Sequence, residues 1–245
     1  MKEVSPLGRH GTIANKKSVQ DSKRSAMFTK YSRQIIVAAK AGGDPEFNPS
    51  LRVAIDKAKS IGMPNDNINR AIKKGTGELG GESYEELQFE GYGPSGVAVI
   101  VEALTDNKNR TASFVRSVFD KNGGNLGTPG CVSYMFSRAG VIIIDSEDLD
   151  EDEVMEIALE AGADDMIVNE DNFEIRTEPS AFNEVHQAVK DAGFDIVEAE
   201  VEQIPSMEAN VTDESAIKSL TKLITSLEDN DDVQKVYFNC DLDLD

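Results

Sequence analysis

The 245-residue chain has no tryptophan, two cysteines, two histidines, and 25 lysines and arginines against 45 aspartates and glutamates. Each shortage closes a class of function. The histidines, His10 and His186, and the cysteines, Cys131 and Cys240, are too few and too scattered for a zinc set with ligand spacing. His186 falls in EVHQAVKDAG and reads as a surface or interface position on a helix. Neither a GxSxG nucleophile elbow nor an HExxH helix occurs. No apolar run reaches about 18 residues, so no membrane span is expected. The opening MKEVSPLGRHGT lacks the apolar stretch of a signal peptide. The two cysteines sit in apparent strands and read as reduced, buried thiols of a cytosolic protein. Neither catalysis nor a cofactor is expected.

The scarce cations are not spread evenly. The net charge is −20 and the isoelectric point near 4.5. Residues 1–75 nevertheless hold 15 lysines and arginines against 6 acidic residues, while residues 76–245 hold 10 against 39. A basic head on an acidic body points to a polyanion partner for the head. Screening over roughly 8–10 Å lets such a head dock on phosphates despite the charge of the rest. The competing reading is a solvated basic face that pairs with the acidic body.

The head is organised around residues 15–40. Lys16, Lys23 and Lys30 recur every seven residues, as do Lys17 and Arg24, so on a helix they form two adjacent cationic stripes. Val19, Ala26, Met27, Tyr31, Ile35 and Ala38 supply the opposite, apolar face, and Gly42 and Gly43 end the helix. A second helix begins at an Asn48 cap with Pro49 in the first position and closes at Gly62 and Pro64. A third runs from about Asn65 to Lys74 with Gly75 as its cap. Three short amphipathic helices make a small bundle.

The Gly-rich stretch at residues 75–83 reads as a boundary, after which the period changes. Strands are expected at Leu87–Glu90, Val97–Leu104, Val132–Phe136 and Val141–Ile144, with a helix over Asn107–Asn122. From Val141 the order β-α-β-β-α-β is that of a ferredoxin-like domain. The last helix and strand, at Asp213–Leu227 and Val233–Phe238, return to complete the domain begun near residue 79. The expected fold is α+β: a three-helix bundle at 1–78, a discontinuous α/β domain at 79–136 and 206–245, and a ferredoxin-like α/β domain inserted at 137–205.

Three further stretches invite functional readings. Gly91, Gly93 and Gly96 spell GxGxxG, but Pro94 removes an amide and a strand follows where a dinucleotide site needs a helix; it reads as a turn. KNGGNLGTPG at residues 121–130 could form an anion-binding nest. TDNKNRT sets Lys108 and Arg110 at a helix start, where phosphate can bind. Ordinary turns and capping are the plainer account of both. The acidic run at residues 145–153 lacks the glycine and distal glutamate of a calcium loop and starts a helix, where carboxylates suit the dipole.

The runs IANKKSVQDSKRSAMFTKYSRQIIVAAKAGG, DPEFNPSLRVAIDKAKSIGMPNDNINRAIKKG, YEELQFEGYGPSGVAVIVEALTDNKNRT, FDKNGGNLGTPGCVSYMF and DVQKVYFN together resemble the YebC/PmpR family over nearly the whole chain. The resemblance implies three domains with the third inserted in the second, and a cytoplasmic, non-enzymatic, DNA-binding transcriptional regulator without cofactor. It also leaves open a translational activator acting on RNA or the ribosome, with ribosomal or transfer RNA as target. A protein-interaction adaptor, whose acidic domains engage a basic partner, is the third reading. The family commonly opens Gly-His-Ser-Lys-Trp-Ala-Asn-Ile. Here Gly8-Arg9-His10-Gly11-Thr12-Ile13-Ala14-Asn15 follows an extension, so no role of that tryptophan carries over. Lys16, Lys17, Lys23, Arg24, Lys30 and Arg33 are the expected phosphate contacts, extended by Arg52, Lys57, Arg70, Lys73, Lys74, Lys108 and Arg110. A monomer or weak oligomer without membrane contact is expected.

Overall fold

The computed structural model describes residues 21–80 and 83–242, with side chains from Ser25 onward. The chain divides into two compact units, Met1–Met135 with Pro205–Asp245, and Phe136–Ile204. Among the described residues there are seven α-helices and two four-stranded antiparallel sheets.

The first unit begins with α1 (Asp21–Ala39), α2 (Pro49–Ser60) and α3 (Asn65–Gly75). Asn48 caps α2 as its sequence suggests: its side-chain oxygen accepts from Leu51 N–H at 3.1 Å. Its amide donates to the Ala38 and Gly42 carbonyls at 2.8 Å each, so one buried residue both starts α2 and ties down the end of α1. The bundle core is Ile35, Ile36, Ala39, Leu51, Ala54, Ile55, Ala58, Met63, Ile68 and Ala71, with Phe28 and Tyr31 packed against it. The face that α1 buries is therefore rotated from the expected one, since Ile36 and Phe28 enter and Ala26 and Met27 do not. Residues 15–20, including Val19, lie outside the described residues. Gly75 is the last residue of α3 and not its cap, which is Thr76. A Cβ at Gly75 would collide with the Ile36 carbonyl oxygen and lie 2.6 Å from Ala39 Cβ. Close passage of α1 and α3 is what requires glycine there.

The sheet of this unit has the order β3-β1-β2-β8, from β1 (Glu85–Tyr92), β2 (Ala98–Thr105), β3 (Asn125–Leu126) and β8 (Val233–Phe238). Two helices, α4 (Lys108–Lys121) and α7 (Glu214–Glu228), share a core with it: Val99, Val101, Val115, Phe119, Leu220, Leu223, Ile224, Leu227 and Val236 are all nearly or fully buried. Each such aliphatic or aromatic side chain contributes roughly 1.5–3 kcal/mol on burial. The GxGxxG is a turn between β1 and β2, as expected: Gly93 N–H donates to Val97 O at 2.8 Å around a short 3-10 segment.

The second unit holds β4 (Phe136–Asp145), α5 (Glu151–Glu160), β5 (Asp165–Val168), β6 (Asn172–Thr177), α6 (Phe182–Asp191) and β7 (Ile196–Pro205), whose sheet order is β5-β6-β4-β7. Ile142, Ile144, Val154, Ala158, Phe173, Ile175, Val185 and Val189 are buried within it. Asp150 caps α5 by accepting from Glu153 N–H at 3.1 Å, which accounts for the start of the acidic run's helix. His186 is buried, 8 % exposed, with its ring centroid 6.0 Å from that of Phe182. The expected strand at Val132–Phe136 is also absent. Ser133–Met135 is a 3-10 turn, and Phe136 opens the single long strand β4.

Candidate nucleic-acid interface

Of the expected contacts, Lys16 and Lys17 lie outside the described residues, as do the side chains of Lys23 and Arg24 in the first turn of α1. The next basic residues of α1 face the chain's own carboxyl-terminal segment. Lys30 Nζ donates to the Glu228 carbonyl at 2.7 Å. Arg33 Nη1 donates to Asp232 Oδ1 at 2.8 Å, to the Leu104 carbonyl at 3.3 Å and to the Asp231 carbonyl. Its guanidinium carbon lies 5.4 Å from the centroid of the Tyr84 ring, within cation–π range.

Asp232 is the hub of this arrangement. Arg110 reaches it through Nη2 at 2.8 Å and Nε at 3.3 Å, and the hydroxyls of Thr111 and Thr105 donate to it at 2.7 and 3.2 Å. Burial pushes the Asp232 carboxyl up, but hydrogen bonds from Arg110 and Thr111 and the charge of Arg33 more than offset this and hold it below its ordinary value. One carboxylate thus ties α1 of the bundle to β2, α4 and β8.

This geometry corrects the sequence expectation for Arg33. Its side chain is 13 % exposed and its charge is spent on Asp232, so it fastens the bundle and does not face solvent phosphates. The same reason bears on Lys30, bonded to a main-chain carbonyl, and on Arg110, half exposed and shared between Asp232 and Asp106. Arg52 fastens the α1–α2 loop by donating to the Pro45 and Glu46 carbonyls at 3.1 Å each. Lys108 lies 3.3 Å from Glu85 in an exposed pair, a contact of small worth. Lys57 and Lys74 are partly buried.

Arg70 and Lys73 stand apart. Both are exposed on α3, and neither makes an ion pair or side-chain hydrogen bond among the described residues. Lys59 on α2, outside the expected set, has the same character. Lysines in the last turns of α2 and α3 also offset the helix dipole, so their position is favourable with or without a ligand. Sequence spacing could not separate Arg33 from Arg70; only the fold shows which of the two meets a carboxylate.

The glycine-rich stretch is no empty nest. Glu90, 5 % exposed, accepts from the N–H groups of Gly130, Val132 and Ser133 at 3.0, 3.0 and 2.9 Å, and from Gln88 Nε2 at 3.1 Å. Burial raises its pKa, and the three amides with Gln88 outweigh that and bring it below the ordinary 4.5. The chain's own carboxylate occupies the anion position. Cys131 and Cys240 are free thiols, and burial, with Asp241 and Glu208 adding, pushes Cys240 up to about 11.

An open groove of about 440 Å³ beside α1 and α2 is lined by Gln34, Val37, Val53, Lys57, Glu86 and Leu104 among others, with no histidine or cysteine on its walls. Among the described residues, Glu198, Glu200 and Glu202 on alternate positions of β7 bring their oxygens within 4.8 Å of one another. All-carboxylate donors suit a hard cation, but no second feature of the chain marks them as a site. No helix among the described residues is long and apolar enough to cross a membrane.

The architecture is thus a mixed α/β protein of seven described helices and two four-stranded sheets, carrying unpaired cations on a helical bundle. Residues 9–78 match the model of the TACO1/YebC protein N-terminal domain, and residues 84–240 match that of the TACO1/YebC second and third domain. A probable transcriptional regulatory protein of Clostridioides difficile is 53 % identical over 239 residues, covering 97 % of this chain and 100 % of that one. One from Persephonella marina is 54 % identical over 232 residues, covering 94 % and 93 %. The crystal structure of a conserved hypothetical protein from Aquifex aeolicus superposes with a TM-score of 0.85 at 46 % identity, covering 95 % of this chain and 96 % of its own. The chain belongs to the TACO1/YebC family.

Proposed function

We propose that this protein is a non-enzymatic regulator that grips the phosphate backbone of nucleic acid through its helical bundle, with DNA as the target and gene transcription as the process regulated. The observation that carries the reading is the pair Arg70 and Lys73, exposed and unpaired in a chain with nearly twice as many acidic as basic residues. Lys59, Lys57 and Lys74 extend that surface, and Lys16, Lys17, Lys23 and Arg24 add charge from the start of the head. The names of the relatives point the same way, since they are described as probable transcriptional regulatory proteins. In this reading the bundle, the first α/β domain and the inserted α/β domain are three modules, of which the first binds. Phosphate contacts supply affinity and little sequence choice, so affinity should fall steeply with salt.

The test is fluorescence anisotropy on labelled duplex DNA and on single-stranded RNA of equal length, over a salt series. Arg70→Glu/Lys73→Glu in the full chain should weaken DNA binding and lower the log–log salt slope by about two. Curves matching the parent would remove the bundle from the interface. Preference for the RNA probe would move the target from DNA to RNA.

A further inference from the structure

The acidic body is not acidic everywhere. Of the 10 lysines and arginines in residues 76–245, six lie on α4 and α7, which together carry only three acidic residues, Asp120, Glu214 and Glu228. Lys108 and Arg110 at the start of α4 are neutralised by Glu85, Asp106 and Asp232. The other four, Arg116, Lys121, Lys218 and Lys222, are exposed and make no ion pair or side-chain hydrogen bond among the described residues. In a region with 39 acidic residues, four exposed cations on two packed helices without a carboxylate partner need a reason.

The helices hold these cations on one layer. The buried faces of α4 and α7 are Thr111, Val115, Val118 and Phe119, and Ala216, Leu220, Leu223, Ile224 and Leu227. Arg116, Lys218 and Lys222 therefore project from the side opposite the sheet. The end of α4 lies beside the middle of α7, since a Cβ on Gly124 would be 3.3 Å from Leu223 Cδ1. Lys121 closes α4 at that end. Lys218 and Lys222 are four residues apart on one helix, a like-charge spacing that costs the helix stability. Capping accounts for Lys121 in the last turn of α4, but not for this pair in the middle of α7.

We propose that the outer face of α4 and α7 is a second contact for the phosphate backbone of the same nucleic acid that the bundle holds. The inference rests on the nucleic-acid reading above and names a surface outside the bundle. From Arg110, where the bundle is fastened, to Lys121 the helix runs about 17 Å at 1.5 Å per residue. At about 3.4 Å per base pair the length of α4 alone corresponds to some five base pairs, so only a duplex that runs past the bundle can reach its far end.

The experiment uses the full chain with Lys121→Glu/Lys218→Glu/Lys222→Glu, its fold confirmed by circular dichroism. Anisotropy is read on duplexes of about 8 and about 30 base pairs over a salt series. The long duplex should lose about three from the magnitude of its log–log slope, at 0.9 per phosphate contact, while the short one changes little. A parental slope on the long duplex, with Arg70→Glu/Lys73→Glu still weakened, would overturn the second contact and leave the bundle reading intact. Absence of binding by the unmutated chain would overturn both. Unchanged nucleic-acid binding together with lost binding to anionic phosphatidylserine vesicles would also overturn it, assigning the face to a lipid surface.

Discussion

Replacing Asp232 by alanine removes the one carboxylate that Arg33, Arg110, Thr105 and Thr111 share. Arg33 is then left 13 % exposed with no counter-charge, and the buried Thr105 hydroxyl loses its carboxylate acceptor, while Thr111 keeps the Asn107 carbonyl at 3.2 Å. Breaking a buried pair by deleting one partner costs about 3–5 kcal/mol. Arg110 is half exposed and can rehydrate, so the lower end applies, about 3 kcal/mol for Asp232→Ala. That is a large share of the roughly 5–15 kcal/mol that holds a folded domain together. With an m-value of about 2 kcal/mol/M in urea, the midpoint should fall by about 1.5 M. The chain lacks tryptophan, so far-UV circular dichroism is the natural probe. Arg33→Met with Asp232→Ala should cost clearly less than the sum of the two single changes, because the pair acts as a unit. The pH dependence has a fixed sign. The folded pKa of Asp232 is lowered, so its contribution is complete above the ordinary value of 3.8 and is lost as pH falls below it. A parental urea midpoint for Asp232→Ala at neutral pH would refute the hub.

The other perturbations act on single contacts. Glu90→Gln leaves fewer acceptors for the amides of Gly130, Val132 and Ser133; it should cost about 2 kcal/mol and speed hydrogen exchange at those three positions, and unchanged exchange would contradict the anchoring. Gly75→Ala presses a methyl against the Ile36 carbonyl oxygen and should lower stability by about 1–3 kcal/mol with little change in α3 helicity; a neutral result would show that α1 and α3 can separate. Cys240, buried and with its pKa pushed up to about 11, should resist a thiol reagent at pH 8 until the protein is unfolded; rapid native labelling would count against its burial.

Local chemistry was readable wherever one residue decides the outcome. Asn48 with Pro49 marks the start of α2, the acidic run at residues 145–153 that of α5, and Pro94 disqualifies the GxGxxG. The alternation from Val141 onward likewise announces the strands and helices of the second unit. What sequence could not show is pairing across the chain. Arg33 and Asp232 are 199 residues apart, and no local pattern distinguishes the arginine that meets a carboxylate from Arg70, which does not. For the same reason Glu90 gave no sign that it would fill the glycine-rich loop. Val132, Met135 and Phe136 are buried in a sequence that alternates like a strand, yet the amides of Val132 and Ser133 are drawn to Glu90 and the segment turns. Gly75 looked like a cap because glycine commonly ends helices; its actual role, letting α3 approach α1, depends on where α1 lies.

The central claim is that unpaired cations on the bundle hold phosphate in a chain whose overall charge is negative. Its most direct test is the salt dependence of DNA binding by the unmutated chain. The account predicts log K falling linearly with log salt, with a slope of several units at about 0.9 per phosphate contact. Binding that is indifferent to salt, or no binding at low salt, would contradict it.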